Sequence, residues 1–265
     1  MRRILLKWQQ LILSLGCLIL IVSCQNSYSA TNSSVLTVAT DPTFIPFEIK
    51  NAEGNLEGFD IDLMNAIAKA VKLTVKFESL PFDGMISTLQ AKKVDAAISG
   101  ITITPERRQT VDFSRPYFKA GLAITVRADN QDIQDIKTLQ GRKIAVQIGS
   151  TGADFAKTIP NAEIRTFNSG PDFFQDLLNG NVDAAISDAF ATIYAINNGK
   201  LKGLKVVTNL LTEEYYGIAT PKNSPHLDVI NQGIAKILAN GTYKQIYRQW
   251  FNTEPPNLPE SAPHS

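Results

Sequence analysis

Two periodicities alternate along this chain. Val35-Leu36-Thr37-Val38-Ala39 switches between apolar and polar positions as a strand does. Ile61, Met64, Ile67, Ala68 and Val71 then follow helical spacing, with Asp60 placed as the N-cap. Leu73–Phe77 alternates again, Asp83 opens a helix with Met85, Ile86 and Leu89 on its buried stripe, and Val94–Ser99 is a short apolar strand. The order β-α-β-α-β predicts a mostly parallel sheet covered on both faces. The second half runs in the same order. Lys143–Gln147, Glu163–Phe167 and Val182–Ser187 read as strands, separated by helices from Thr151 and over Pro171–Leu178.

One segment ties the halves together. Val94–Gly100 reads VDAAISG and Val182–Asp188 reads VDAAISD, six identities in seven at a spacing of 88. Such self-similarity predicts a repeated structural unit. Ala120–Arg127 and Tyr216–Thr220 are strand-like stretches between the units, so the chain is expected to cross from one lobe to the other and return, with the hinge near Thr125–Arg127 and Ile218–Thr220. After Ser224-Pro225, a helix start, the stripe Leu227, Ile230, Ile234, Ile237 and Leu238 runs to Gly241, and Tyr243–Phe251 forms a further helix. The expected division is lobe 1 over 35–124 and 217–252, lobe 2 over 125–216, and a disordered, proline-rich tail over 253–265.

The beginning of the chain has a different character. Arg2, Arg3 and Lys7 precede an apolar run, Leu11–Val22, too short for an ordinary membrane span. It ends in Ile21-Val22-Ser23-Cys24, which resembles a bacterial lipobox and predicts a signal peptide over 1–23 with lipidation at Cys24. Cleavage after Ala30 is the alternative. Cys17 would leave with the leader, and a lone Cys24 has no disulfide partner. Gln25–Ser34 reads as a flexible tether to a lipid anchor. The expected location is therefore outside the cytoplasm, periplasmic or at the cell surface. A formal charge of +1 over 265 residues gives no basic excess for a nucleic-acid partner.

Strand ends are where the chemistry is expected, because ligands of parallel α/β sheets bind beyond the carboxyl ends of the strands. The first repeated strand leads to Gly100, Thr102, Thr104-Pro105 and Arg107, and the second to Asp188. Thr104 can cap a short helix, and Arg107 carries a planar fork suited to a carboxylate. Arg107 could equally be a solvated residue of a polar helix, with neighbouring Arg108 as the control. Asp188 could be only an N-cap. Set across a cleft from each other, the two suit a zwitterion. Asp83, Asp95 and Asp183 are read as structural.

Three segments carry a family resemblance: Gly58-Phe59-Asp60-Ile61-Asp62-Leu63, then Ser99–Thr104 with Glu106-Arg107, then Asp112-Phe113-Ser114-Arg115-Pro116-Tyr117. In order and spacing they resemble the polar amino-acid family of periplasmic solute-binding proteins, closest to its glutamine-binding member, over about Val35 to Phe251. The resemblance implies a two-lobed periplasmic-binding-protein fold of type II, with two parallel-sheet α/β lobes joined by two crossover strands. It also implies a monomer that closes on a free polar L-amino acid and serves an ABC permease and ATPase.

Carried onto this chain, the resemblance puts the ligand α-carboxylate on Arg107, with backbone and hydroxyl contacts from Gly100 and Thr102. It puts the ammonium on Asp188 and the side chain between Phe44 and Phe82. Gln147, Ser150 and Thr151 contact it from the second lobe, and Asp41 contacts the side chain. Gln147 and Ser187 stand where the glutamine binder has a lysine and a histidine. The expected ligand is glutamine, with a basic amino acid as the alternative. An enzyme on the same fold, a dehydratase of prephenate-like acids, is disfavoured: the mature chain has His226 and His264 and no nucleophilic Cys, phosphate loop or metal-ligand cluster. No cofactor or metal is expected. A sensor module is the third reading, less favoured because no membrane or signalling segment follows Phe251.

Overall fold

The computed structural model describes residues 35–207 and 210–263. The expected leader, tether and Cys24 lie outside the described residues. Each lobe is built on one five-stranded mixed sheet. In lobe 1 the order is Thr74–Ser79, Val35–Thr40, Ala96–Ala97, Ala219–Pro221, Val111–Phe113. The first three strands are parallel, Ala219–Pro221 runs against them, and Val111–Phe113, antiparallel to Ala219–Pro221, runs with them again. Lobe 2 repeats the pattern with Glu163–Phe167, Lys143–Gln147, Ala184–Asp188, Leu122–Arg127 and Leu204–Val206. Each sheet is thus mostly parallel, as expected, with one antiparallel strand: the returning segment Ala219–Pro221 in lobe 1 and the crossing segment Leu122–Arg127 in lobe 2.

Alternation explains how each sheet is covered. Leu36 and Val38 face a core with Phe59, Leu63, Met64, Ile67 and the stripe Ile230, Ile234, Ile237 of the helix His226–Ala239. Ala39, the residue after Val38, faces Met85 and Leu89 on the other side. In lobe 2, Ile144 and Val146 face Ala153 and Ala156, while Ala145 faces Phe173 and Leu177.

The crossover lies elsewhere than expected. Phe118–Ala120 pairs antiparallel with Glu214–Tyr216 as a two-stranded ribbon. Leu122–Arg127 belongs wholly to the lobe 2 sheet and Ala219–Pro221 to that of lobe 1. Lobe 2 therefore begins near 122, and Thr125–Arg127 and Ile218–Thr220 are not the hinge. Three smaller corrections follow. The helix Phe59–Ala70 has Gly58, not Asp60, at its N-cap. Pro225, expected at the first helical position after an N-cap Ser224, is itself the N-cap of the helix His226–Ala239. The tail expected to be disordered packs on lobe 1, with Ala262 buried beside Met85 and Leu89 and Leu258 against the larger core.

Candidate functional site

Four parallel strands end at one cavity of about 260 Å³ between the lobes. Val35–Thr40 delivers Asp41, the first repeated strand Ser99 and Gly100, Lys143–Gln147 its own Gln147, and Ala184–Asp188 its own Asp188. All ten residues singled out from the sequence line this cavity. Their contacts divide them into groups that face a ligand and groups already committed elsewhere.

Arg107 sits on the short helix Pro105–Thr110, which Thr104 caps by accepting the Arg107 N–H. Its Nη1 donates to Thr102 O at 2.7 Å and its Nη2 to Gly149 O, in the other lobe, at 2.8 Å. The guanidinium lies 5.7 Å from the centroid of the Phe82 ring. A guanidinium has five N–H donors, so three remain for a carboxylate. Burial pulls its pKa down, opposed chiefly by the Glu214 charge, but an arginine stays charged at any physiological pH.

Asp188 is the N-cap that the sequence allowed. Its Oδ1 caps the helix Ala189–Asn197 by accepting the Ala191 N–H at 2.6 Å, and its Oδ2 accepts the Tyr216 hydroxyl at 2.6 Å. Its side chain still lines the cavity. Burial pushes its pKa up to about 6 against those two hydrogen bonds. Asp41, directly after the strand Val35–Thr40, lines the same cavity. It accepts the Thr43 hydroxyl at 2.9 Å, the Phe82 N–H at 3.2 Å and Gln147 Nε2, from lobe 2, at 3.4 Å. Burial raises its pKa, opposed by the Thr43 and Phe82 donors.

Four expected contacts are spent inside the protein. The Gly100 N–H, placed by sequence on the ligand, turns back to Asp60 Oδ2 at 3.0 Å. That turn needs φ +54 and leaves no room for a Cβ, which would lie 2.5 Å from the Phe44 ring. Ser150 caps the helix Thr151–Ala156 and donates its hydroxyl to Gln147 O. The Thr102 and Thr151 hydroxyls both donate to Glu214 Oε2, at 2.7 and 2.9 Å.

Sequence reading missed Glu214, Tyr216 and Lys200, which also line the cavity. The available signal was the pair Glu213-Glu214 directly before the crossover strand, where a carboxylate can face both lobes. Among the described residues no group of three or more His, Cys, Asp or Glu is placed to hold a metal, and no helix is long and apolar enough to cross a membrane.

With this geometry in place, comparison with known proteins identifies the family. The family model of bacterial extracellular solute-binding proteins, family 3, matches residues 36–253. The chain belongs to that family. A probable histidine-binding protein of Neisseria gonorrhoeae is 34% identical over 85% of this chain and 86% of its own length. An ancestral arginine-binding protein bound to arginine superimposes with a TM-score of 0.79 at 41% identity, covering 82% of this chain and 98% of that one. The arginine-, lysine-, histidine-binding protein ArtJ from Geobacillus stearothermophilus gives a TM-score of 0.78 at 38% identity, covering 83% and 96%. The two-lobed periplasmic-binding-protein fold is thus shared, and the family is extracytoplasmic. These relatives are named for histidine, arginine or lysine, while an ancestral arginine-binding protein bound to glutamine superimposes with a TM-score of 0.76 at 42% identity, covering 83% of this chain and 98% of that one.

Proposed function

We propose that this solute-binding protein captures a free basic L-amino acid (arginine, lysine or histidine) between its lobes and delivers it to an ABC importer. The observation that carries the reading is Asp41. Arg107 and Asp188 suffice for the two α-groups of any amino acid. Asp41 is a second buried carboxylate that also lines the cavity, and it receives only neutral donors. A buried charge without a counter-charge is costly, and a cationic ligand side chain supplies one. Phe44 and Phe82 line the cavity with it, and aromatic faces attract a guanidinium, ammonium or imidazolium. The names of the relatives agree.

Glutamine, the first choice from sequence, is the second reading, because Gln147 already bonds Asp41 and leaves a polar wall that an amide also suits. We read the protein as a receptor rather than an enzyme: the cavity lining has carboxylates but no His or Cys. Absence of turnover on prephenate and arogenate is the expected check. The ligand is tested by thermal shift against the twenty amino acids, because a ligand at 100 times its Kd stabilises by about 2.7 kcal/mol. Arginine, lysine or histidine should give the largest shift, and Asp41→Asn should remove their advantage over glutamine. A larger shift with glutamine in the unaltered protein would overturn the assignment.

A further inference from the structure

One carboxylate in the cavity wall belongs to neither lobe. Glu214 begins the ribbon strand Glu214–Tyr216, which joins the lobes. Its Oε2 accepts the hydroxyl of Thr102 from lobe 1 and that of Thr151 from lobe 2. Its Oε1 accepts the Thr212 hydroxyl at 3.0 Å, and Thr212 in turn accepts the Leu122 N–H at 3.0 Å, from the strand where the other crossover enters lobe 2. The carboxylate is therefore pinned to the hinge and holds one hydroxyl from each side.

We propose that Glu214 is an interlobe clasp: a positioning residue that draws lobe 2 onto lobe 1 through Thr151 and Thr102 and so pre-forms the closed cavity. The geometry sets what opening must break. Thr151 starts a helix packed on the lobe 2 sheet, so it moves with that lobe, while Glu214 stays with the ribbon. Rotation about the ribbon therefore separates Thr151 Oγ1 from Glu214 Oε2, together with the interlobe bonds of Arg107 to Gly149 O and of Gln147 to Asp41. A closed state favoured before ligand arrives raises apparent affinity in proportion to its population. The clasp also assigns hydrogens. A threonine hydroxyl has one, and with both donated to Glu214 neither threonine can donate to a ligand carboxylate. That leaves Arg107 as the charged group for the carboxylate.

The inference rests on the cavity being the ligand site, but its first test does not. Small-angle X-ray scattering of protein freed of small molecules reads compaction alone. Glu214→Ala should raise the radius of gyration, and Glu214→Gln, whose amide oxygen can still accept both hydroxyls, should stay near the unaltered protein. Thr151→Val removes only the lobe 2 arm and should expand the protein as Glu214→Ala does. It carries the test if Glu214→Ala fails to fold. In calorimetry with arginine, Glu214→Ala should bind about tenfold more weakly or worse, and the Glu214→Ala/Thr151→Val double variant little worse than either single one. Unchanged scattering by both Glu214→Ala and Thr151→Val would overturn the clasp. Expansion in a protein that does not bind arginine would support the clasp while removing the ligand assignment.

Discussion

The second residue of the repeated segment in lobe 1 is Asp95, whose Oδ2 takes the Thr37 N–H at 2.8 Å. In lobe 2 it is Asp183, whose Oδ2 takes the Lys143 N–H, also at 2.8 Å. Each backbone N–H of that pair donates back, Asp95 to Thr37 O and Asp183 to Lys143 O. The two copies are fastened to their neighbouring strands identically, and they part only at the far end. Lobe 1 ends in Gly100, backed by Asp60, which accepts Tyr117 OH at 2.8 Å. Lobe 2 ends in Asp188, which accepts Tyr216 OH at 2.6 Å. Both ends thus have an acid paired with a tyrosine. In lobe 1 the acid lies behind the strand, 0% exposed, and in lobe 2 it is the strand's last residue, 9% exposed and in the cavity wall. Where one carboxyl is placed on a shared frame decides whether it holds the backbone or meets a ligand.

Removing the charge lobe 1 presents should have the largest effect. Arg107→Ala is expected to cost about 2–5 kcal/mol of ligand binding, because a carboxylate is then buried without its partner. The loss of the bond to Gly149 O adds to this by releasing a contact between the lobes. Arg108→Ala, one residue on, should cost little. Near-equal calorimetric affinities for the two variants would remove Arg107 from the site.

The lobe 2 counterpart is Asp188→Asn, expected to cost somewhat less, about 2–3 kcal/mol. Asparagine is as good an N-cap as aspartate, so the helix Ala189–Asn197 and the fold should persist. The pH profile separates charge from shape. An ammonium ligand needs Asp188 ionised, and its pKa in the free protein stands at about 6. Affinity should therefore fall as pH drops through about 6, and this fall should be missing in Asp188→Asn. A variant that keeps the full pH dependence would assign it to another group.

The comparison also explains what sequence could and could not convey. The repeat, the strand ends, Arg107 and Asp188 are legible because their logic is local: a strand, its next residue and a cap. Asp60 was misplaced for the same reason. Position beside Gly58-Phe59 suggests a cap, but the carboxyl satisfies Gly100 and Tyr117, 40 and 57 residues away. Glu214 was missed because its partners Thr102 and Thr151 lie on different lobes, and no periodicity connects them. The hinge was displaced by a few residues because one apolar stretch, 118–127, changes sheets at Gly121. A Cβ there would lie 2.3 Å from Thr212 O, so the chain passes from ribbon to lobe 2 only without a side chain.

The smallest predicted effect concerns what backs the lobe 1 strand. Ser99, next to Gly100, donates its hydroxyl to Glu48 Oε1 at 2.5 Å and accepts the Asp41 N–H at 3.0 Å. Glu48 and Asp60 are both fully buried and interact electrostatically, and Glu48 Oε2 and Asp60 Oδ1 are each buried without a donor. Two adjacent buried carboxyls cannot both ionise. Burial and the neighbouring Asp60 hold Glu48 well above the usual carboxylate range, and burial pushes Asp60 up to about 7. The folded protein therefore keeps a proton that the unfolded chain releases near pH 4. Stability should be highest below that pH and should fall as pH rises through about 7. Glu48→Gln retains an acceptor for Ser99 with no proton to lose. Its thermal midpoint should fall less than that of the unaltered protein between pH 5 and 8, a difference on the order of 1 kcal/mol. Its affinity should stay within about twofold, because the hydrogen bonds that position Ser99 and Gly100 are kept. Equal pH slopes in the two proteins would mean that the pair shares no proton, and the contrast between the strand ends would then reduce to Asp188 alone.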